Sequence, residues 1–151
     1  MTALSPVELG HSYLELHHRM HRVVDEAMNT AGLSLSRAKL LGVLAAQGPT
    51  KQATVACALG FAPRSVTDSL DALEREGLAV RKDDPNDRRA RLVEITPAGR
   101  TALERAMAVK RDVMNTLFGG LDDADRARFA ELLTIIRTQL DSISKVDAHV
   151  S

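Results

Sequence analysis

Five basic side chains fall within eleven residues of this chain, Arg81, Lys82, Arg88, Arg89 and Arg91, set against Asp83, Asp84 and Asp87. Arginine presents paired N–H donors that match phosphate geometry. At the tip of a turn it can also enter a DNA minor groove, where a narrow A·T stretch deepens the negative potential. A second grouping holds four of the five histidines, His11, His17, His18 and His21. His17 and His21 are one helical turn apart, a spacing that can bring two imidazoles to one metal ion. Such a centre needs two or more further ligands, and no Cys or Glu cluster stands nearby at ligand spacing. The histidines then read as polar helix residues or as the lining of a pocket, and no metal or cofactor is expected. The lone cysteine, Cys57, lies between Ala56 and Ala58, where a small half-buried residue is ordinary. Nothing has the spacing of a nucleophile elbow, a phosphate loop or paired catalytic carboxylates, so no enzyme is expected.

The elements that must position these groups follow from periodicity. Leu9, Tyr13, Leu16, Met20, Val23, Val24 and Ala27 recur at steps of three and four, which predicts a helix over about 7–31 stopped at Gly32. Ser34 caps a second helix over about 35–46, and a third covers about 51–59 up to Gly60. Pro63 opens a fourth, with Val66, Leu70 and Leu73 inward, that ends at Gly77. The period then changes. Residues 78–81 and 91–95 read as two antiparallel strands, joined by a charged loop over 83–90 that contains Asp84-Pro85-Asn86-Asp87. Thr96 and Pro97 begin a fifth helix that runs toward Phe118, Gly119-Gly120 breaks it, and Asp122 or Asp123 begins the last.

The chain has 151 residues, a length for one domain, with 20 Lys and Arg balanced by 20 Asp and Glu. Zero net charge argues against a binder held to nucleic acid by a general basic field, and leaves one whose positive groups are concentrated locally. With one cysteine, no secretory leader and no apolar run of about 18 residues, a cytoplasmic protein with no membrane partner is expected. The terminal helices carry long apolar stripes: Leu9, Tyr13 and Leu16 in the first, Phe129, Leu133, Ile136 and Leu140 in the last. A monomer would leave them poorly covered, and a homodimer interleaving these helices is the simplest solution.

Between the ends, the helices around Gly60-Phe61-Ala62 suit a helix-turn-helix, and a basic hairpin beside the second of them makes a winged helix. The fold class expected is therefore mainly α. A winged helix-turn-helix occupies about 35–96 of a single domain over 1–151, and helices at about 7–31 and 97–145 serve dimerisation. A helical protein-interaction module without DNA binding is the competing class, and it leaves the basic wing without a role.

The run Leu73-Glu74-Arg75-Glu76-Gly77-Leu78, then Arg81, Asp84-Pro85-Asn86-Asp87-Arg88-Arg89-Ala90, and Leu92 through Ile95-Thr96-Pro97-Ala98-Gly99-Arg100 resembles the signature of the MarR (multiple antibiotic resistance regulator) family. The motif covers about 33–103, and helix order extends the likeness loosely to the whole chain. The resemblance implies an obligate dimer that binds pseudo-palindromic promoter DNA, usually as a repressor relieved by a small ligand, an oxidant or a metal. It places Pro63, Arg64, Ser65, Thr67 and Asp68 on the DNA-reading helix and Arg88, Arg89 and Arg91 in the wing. Arg89 would enter the minor groove, Arg88 would meet phosphate, and Asp87 would hold the tip arginine. Asp68 departs from the family pattern, where a basic residue is frequent. It would accept from cytosine N4 or repel phosphate. Ala62 also departs, standing where a Ser cap is usual, a loss of about 0.5–2 kcal/mol partly offset by Pro63. The family's cavity for aromatic acids implies a ligand role for His17 and His21, with Tyr13 and Met20. Relatives that sense oxidants keep their cysteine near the first helix, unlike Cys57; a metal- or oxidant-responsive regulator of the same fold is the alternative.

Overall fold

The computed structural model describes residues 4–147, except the side chains of Arg88, Arg89 and residues 144–147. The order is α1 (Pro6–Thr30), α2 (Leu35–Gln47), β1 (Thr50–Lys51), α3 (Gln52–Leu59), α4 (Pro63–Arg75), β2 (Ala79–Asp84), β3 (Asp87–Ile95), α5 (Pro97–Phe118) and α6 (Asp123–Asp147). This is the mainly helical winged fold that the sequence predicts. The chain divides into two compact units whose boundary falls within α5, after Val113.

Helix starts are set by local chemistry. Ser5 and Glu8 form a reciprocal capping box on α1: the Ser5 hydroxyl accepts from the Glu8 N–H at 3.3 Å, and the Glu8 carboxylate accepts from the Ser5 N–H at 2.9 Å. The Ser5 hydroxyl also donates to the Glu8 carboxylate at 2.7 Å, and this bond first, then the one from the Ser5 N–H, lowers the Glu8 carboxyl's pKa. Ser34 caps α2 as expected, accepting from the Arg37 N–H at 3.3 Å. A second acceptor comes from outside the segment, since Asp25 of α1 accepts the Leu35 N–H at 2.7 Å. Thr96 caps α5 by accepting from the Gly99 N–H at 3.0 Å while its hydroxyl donates to the Gly77 carbonyl at 2.6 Å. At α6, Asp122 is the cap, accepting from the Asp125 N–H at 2.8 Å.

The core of the first unit is aliphatic. Met28, Leu33, Leu40, Leu41, Leu44, Val55, Val66, Leu70, Leu73 and Val93 are all fully buried, drawn from α1 to α4 and β3. A three-stranded antiparallel sheet in the order β1-β3-β2 closes it. β1 was absent from the sequence expectation, because its two residues carry no period. It exists through pairing alone, Thr50 opposite Val93 and Lys51 opposite Leu92.

The wing also differs from expectation. Strands replace most of the charged loop: β2 continues to Asp84 and β3 starts at Asp87, leaving Pro85-Asn86 as the turn. Asp84 pairs with Asp87 across it, and the buried Asp84 carboxylate accepts the Asn86 N–H at 2.8 Å. Between the pairs Asp83–Arg91 and Asp84–Asp87 the register slips, so β3 carries extra residues at the level of Arg88 and Arg89.

Two glycines have a structural demand on them. Gly60 ends α3 in the left-handed region at φ 63°, which lets the chain turn into α4. Gly99 lies under the hairpin base, where a Cβ would meet the Leu78 carbonyl oxygen at 2.0 Å.

In the second unit, Phe118 and Phe129 pack ring to ring at 6.1 Å. Elsewhere on α6, Leu132, Ile135, Ile136, Leu140 and Ile143 are exposed and Leu133 is half-buried. Among the described residues, no helix is long and apolar enough to cross a membrane.

Candidate nucleic-acid interface

Helix α4 turns Val66, Leu70 and Leu73 inward, each 1% exposed or less. At 3.6 residues per turn, the side directly opposite carries Arg64, Asp68, Asp71 and Arg75, all exposed. The N-terminal end of this face holds Pro63 at the first helical position, preceded by Ala62 without a side-chain cap. Ser65 is exposed on one flank and contributes, with Ser36, Phe61 and Ser69, to a depression of about 360 Å³ between the starts of α2 and α4.

Thr67, on the other flank, is half-buried, and its hydroxyl is engaged inside the protein. It accepts from Gln52 Nε2 at the start of α3 and donates to the Pro63 carbonyl at 3.0 Å. Thr67 therefore ties the two helices of the helix-turn-helix together. Gln52 escapes sequence reading because its partner lies fifteen residues away on another element.

The wing is bolted to α4 by Arg81. Its guanidinium meets Asp71 at 2.6 Å and Glu74 at 2.6 Å, and its backbone N–H donates to Glu74 at 3.0 Å. Burial works to lower the Arg81 pKa, but its hydrogen bonds to Glu74 and Asp71 outweigh that and raise it. Glu74 is lowered in turn, first by the Arg81 N–H and then by the guanidinium. Lys82 pairs with Glu94 across the strands. Two of the five positive charges counted in the 81–91 window are thus engaged within the protein. Arg91 is exposed on β3. Arg88 and Arg89 lie on the β3 backbone beside the turn, and their side chains are outside the described residues.

Lys51 adds a brace that sequence reasoning missed. Its ammonium stands 3.6 Å from the buried Asp84 and 4.0 Å from Asp87, linking β1 to the wing turn. The pairing of Asp87 with a tip arginine, expected from the resemblance, involves side chains outside the described set. From the opposite end of α4, Glu76 receives Arg37 of α2 at 2.5 Å.

The first-helix group is placed together on α1. Tyr13 and His17 stack with ring centroids 6.2 Å apart and planes at 19°, and His21 follows at 6.5 Å. All three are exposed and Met20 is half-buried. Among the described residues, no three His, Cys, Asp or Glu side chains are grouped to hold a metal ion. Cys57 is exposed, not half-buried, because α3 buries Val55 and Ala56 and rotates the next residue outward. Of the apolar stripes, Leu9, Tyr13, Leu16, Phe129, Ile136 and Leu140 are exposed in the single chain, and Leu133 is half-buried.

Residues 33–90, from the start of α2 into the wing, match the model of the MarR family. The uncharacterized HTH-type transcriptional regulator YdgG of Bacillus subtilis (strain 168) is 28% identical over 109 residues, covering 71% of this chain and 72% of that protein. Among solved structures, a MarR variant from E. coli complexed with operator DNA aligns with a TM-score of 0.72 and 21% identity, over 86% of this chain and 94% of that one. Bordetella bronchiseptica BpsR, whose DNA binding is regulated by 6-hydroxynicotinic acid, aligns at 0.70 with 25% identity over 86% and 98%. The family match begins where Leu33 enters the core and ends at Ala90, past the wing turn, so it spans the elements that carry the α4 face and its clamp. Over residues 33–90 the chain is thus similar to the MarR family of transcriptional regulators, and its winged helix-turn-helix fold is the one their solved structures show.

Proposed function

We propose that the protein is a homodimeric, sequence-specific repressor that binds a pseudo-palindromic promoter operator in the cytoplasm and is released by a small aromatic acid. The observation that carries the DNA-binding reading is the outward face of α4, with Arg64 and Ser65 exposed at its N-terminal end beside a hairpin clamped to the same helix. Recognition helices contact base edges through their N-terminal residues. Arg64 and Ser65 take base and phosphate contacts in the major groove, while Thr67 acts by holding α3 against α4. Arg88 takes phosphate, Arg89 enters the minor groove and Arg91 adds to the local positive field.

The dimer reading rests on α1 and α6, whose exposed leucines and isoleucines would each forgo roughly 1.5–3 kcal/mol if left in water. Two recognition helices related by a twofold axis then read half-sites about 10–10.5 bp apart, or a multiple of that. The whole chain, 1–151, acts as one functional domain, with the terminal helices joining two winged parts.

The effector reading is supported by the Tyr13, His17 and His21 ladder and by the aromatic acid that regulates BpsR. A cationic imidazole pairs with a carboxylate and the tyrosine ring stacks on an aromatic one. By linkage, an acid that weakens DNA binding must itself be weakened by DNA to the same degree.

Fluorescence-anisotropy titration against the duplex upstream of the chain's own gene tests the first reading. Saturable, salt-dependent binding by a species of twice 16.4 kDa is expected. Arg89→Ala should lower the salt slope by up to about one unit for each phosphate that a subunit no longer neutralises. No binding above that to random duplex would overturn it. Loss of 6-hydroxynicotinate response in the His17→Ala/His21→Ala double variant, with operator affinity kept, is the matching test of the effector site.

A further inference from the structure

We propose that Asp68 reads sequence directly, its carboxylate accepting a hydrogen bond from the N4 amino group of a cytosine in the major groove, close to the base that Arg64 reads. The inference rests on the DNA-binding reading above and extends it to a base identity. Three further carboxylates lie on α4 and its C-terminal end, and each has a partner: Asp71 and Glu74 are held by Arg81, and Glu76 by Arg37. Asp68 is exposed on the side opposite the core, one turn beyond Arg64. Among the described residues its side chain has no ion-pair or hydrogen-bond partner. Arg64 lies beyond ion-pair distance, so neither side chain neutralises the other and both are free to meet DNA.

A bare carboxylate on a helix entering DNA is repelled by phosphate, and that cost is offset only where a base offers it a donor. The major-groove edges decide which base does. Guanine presents two acceptors, thymine presents O4, and adenine places its N7 acceptor beside N6, so a carboxylate meets a lone pair on each of them. Cytosine presents the N4 donor without such an acceptor. Arg64, with paired donors, prefers the O6 and N7 edge of guanine. Four residues span about 6 Å of helix and base pairs rise about 3.4 Å, so the two positions fall within one or two base steps. The clamp matters to this arrangement: Arg81 engages both Asp71 and Glu74 and leaves that group one net negative charge, so Asp68 is the carboxylate of α4 with no cation beside it.

The test is selection from a randomised duplex library with the full chain, wild type, Asp68→Asn and Asp68→Ala, followed by anisotropy titration of the selected site. The wild type should enrich a cytosine in each half-site, and replacing it with thymine should weaken binding roughly tenfold. Asp68→Asn should shift that position toward adenine, whose N6 and N7 edge an amide matches. Asp68→Ala should accept all four bases there within about twofold and bind random duplex several-fold tighter at low salt. Because Asp68 is exposed and opposite the core, both variants should keep the wild-type melting temperature. An Asp68→Ala protein with the wild-type base preference at every position overturns the inference while leaving DNA binding intact. A wild type that enriches no sequence overturns the DNA-binding reading itself.

Discussion

Helices α4 and α6 are both amphipathic, yet they stand in opposite relation to their own chain. In α4 the apolar positions Val66, Leu70 and Leu73 are buried to within 1%, against α2, α3 and the hairpin. In α6 the apolar positions remain open, with Ile136 51% and Leu140 60% exposed. The winged part completes its core within one chain, so its outer surface can be given over to charge. The α6 stripe has the composition of a core without its cover, which a second copy supplies in the proposed dimer. In the proposed dimer the same apolar periodicity serves folding in one helix and association in the other.

The largest effect that would sharpen this contrast is Leu70→Ala. Truncating a fully buried leucine should cost about 2–5 kcal/mol, read in urea unfolding as a shift of midpoint that is independent of protein concentration. Leu140→Ala should instead act through association, so its effect should shrink as concentration rises. Equal, concentration-independent destabilisation by both would break the distinction.

Next in size is Gly99→Ala. A methyl group there meets the Leu78 carbonyl at 2.0 Å and Ile95 Cγ1 at 2.8 Å, so α5 must shift from the hairpin base, at a cost of about 1–3 kcal/mol. Thermal unfolding by circular dichroism would show it, and an unchanged melting temperature would mean that the hairpin base yields freely.

Arg81→Met should affect function more than stability. It releases the wing from Asp71 and Glu74, and because these carboxylates are half exposed the loss of stability should be about 1 kcal/mol or less. Operator affinity should fall further than that, since two free carboxylates join Asp68 on the DNA-facing side. If affinity fell only in step with stability, the clamp would be structural alone.

The smallest effect is a pH dependence. The folded-state pKa of Glu74 is depressed below its ordinary 4.5 by the Arg81 N–H and guanidinium. Its contribution is therefore present above the unfolded value and is lost as pH falls through the lower folded value. Between pH 5 and 3, Glu74→Gln should flatten the decline of stability by a few tenths of a kcal/mol, given the exposure of the pair. A variant whose decline matched the wild type would remove Glu74 from the clamp.

Much of the scaffold was legible because its signals are local. Ser34 and Thr96 cap the helices assigned to them, Pro63 and Pro97 stand at first helical positions, and Val66, Leu70 and Leu73 are buried as their spacing implied. The hairpin was visible in its β-branched runs and in Asp84-Pro85-Asn86-Asp87, although its strands extend closer to the turn than composition suggested. The residues proposed to face DNA were legible as a helix face and through the family signature, while their electrostatic state was not.

Sequence by itself determined the helices, the presence of the hairpin and which side of α4 faces inward. Capping, proline geometry and periodicity act over a few residues, and that information is contiguous in the chain. Only the tertiary structure decided that Thr50-Lys51 is a strand, that Thr67 is engaged by Gln52 and Pro63, and that Arg81 is consumed by Asp71 and Glu74. Only then does Asp68 emerge as the unpaired acid of its face. Charges that count equally in a composition window become unequal once folded, because an ion pair depends on a few ångströms between side chains of separate elements, and spacing along the chain does not set that distance.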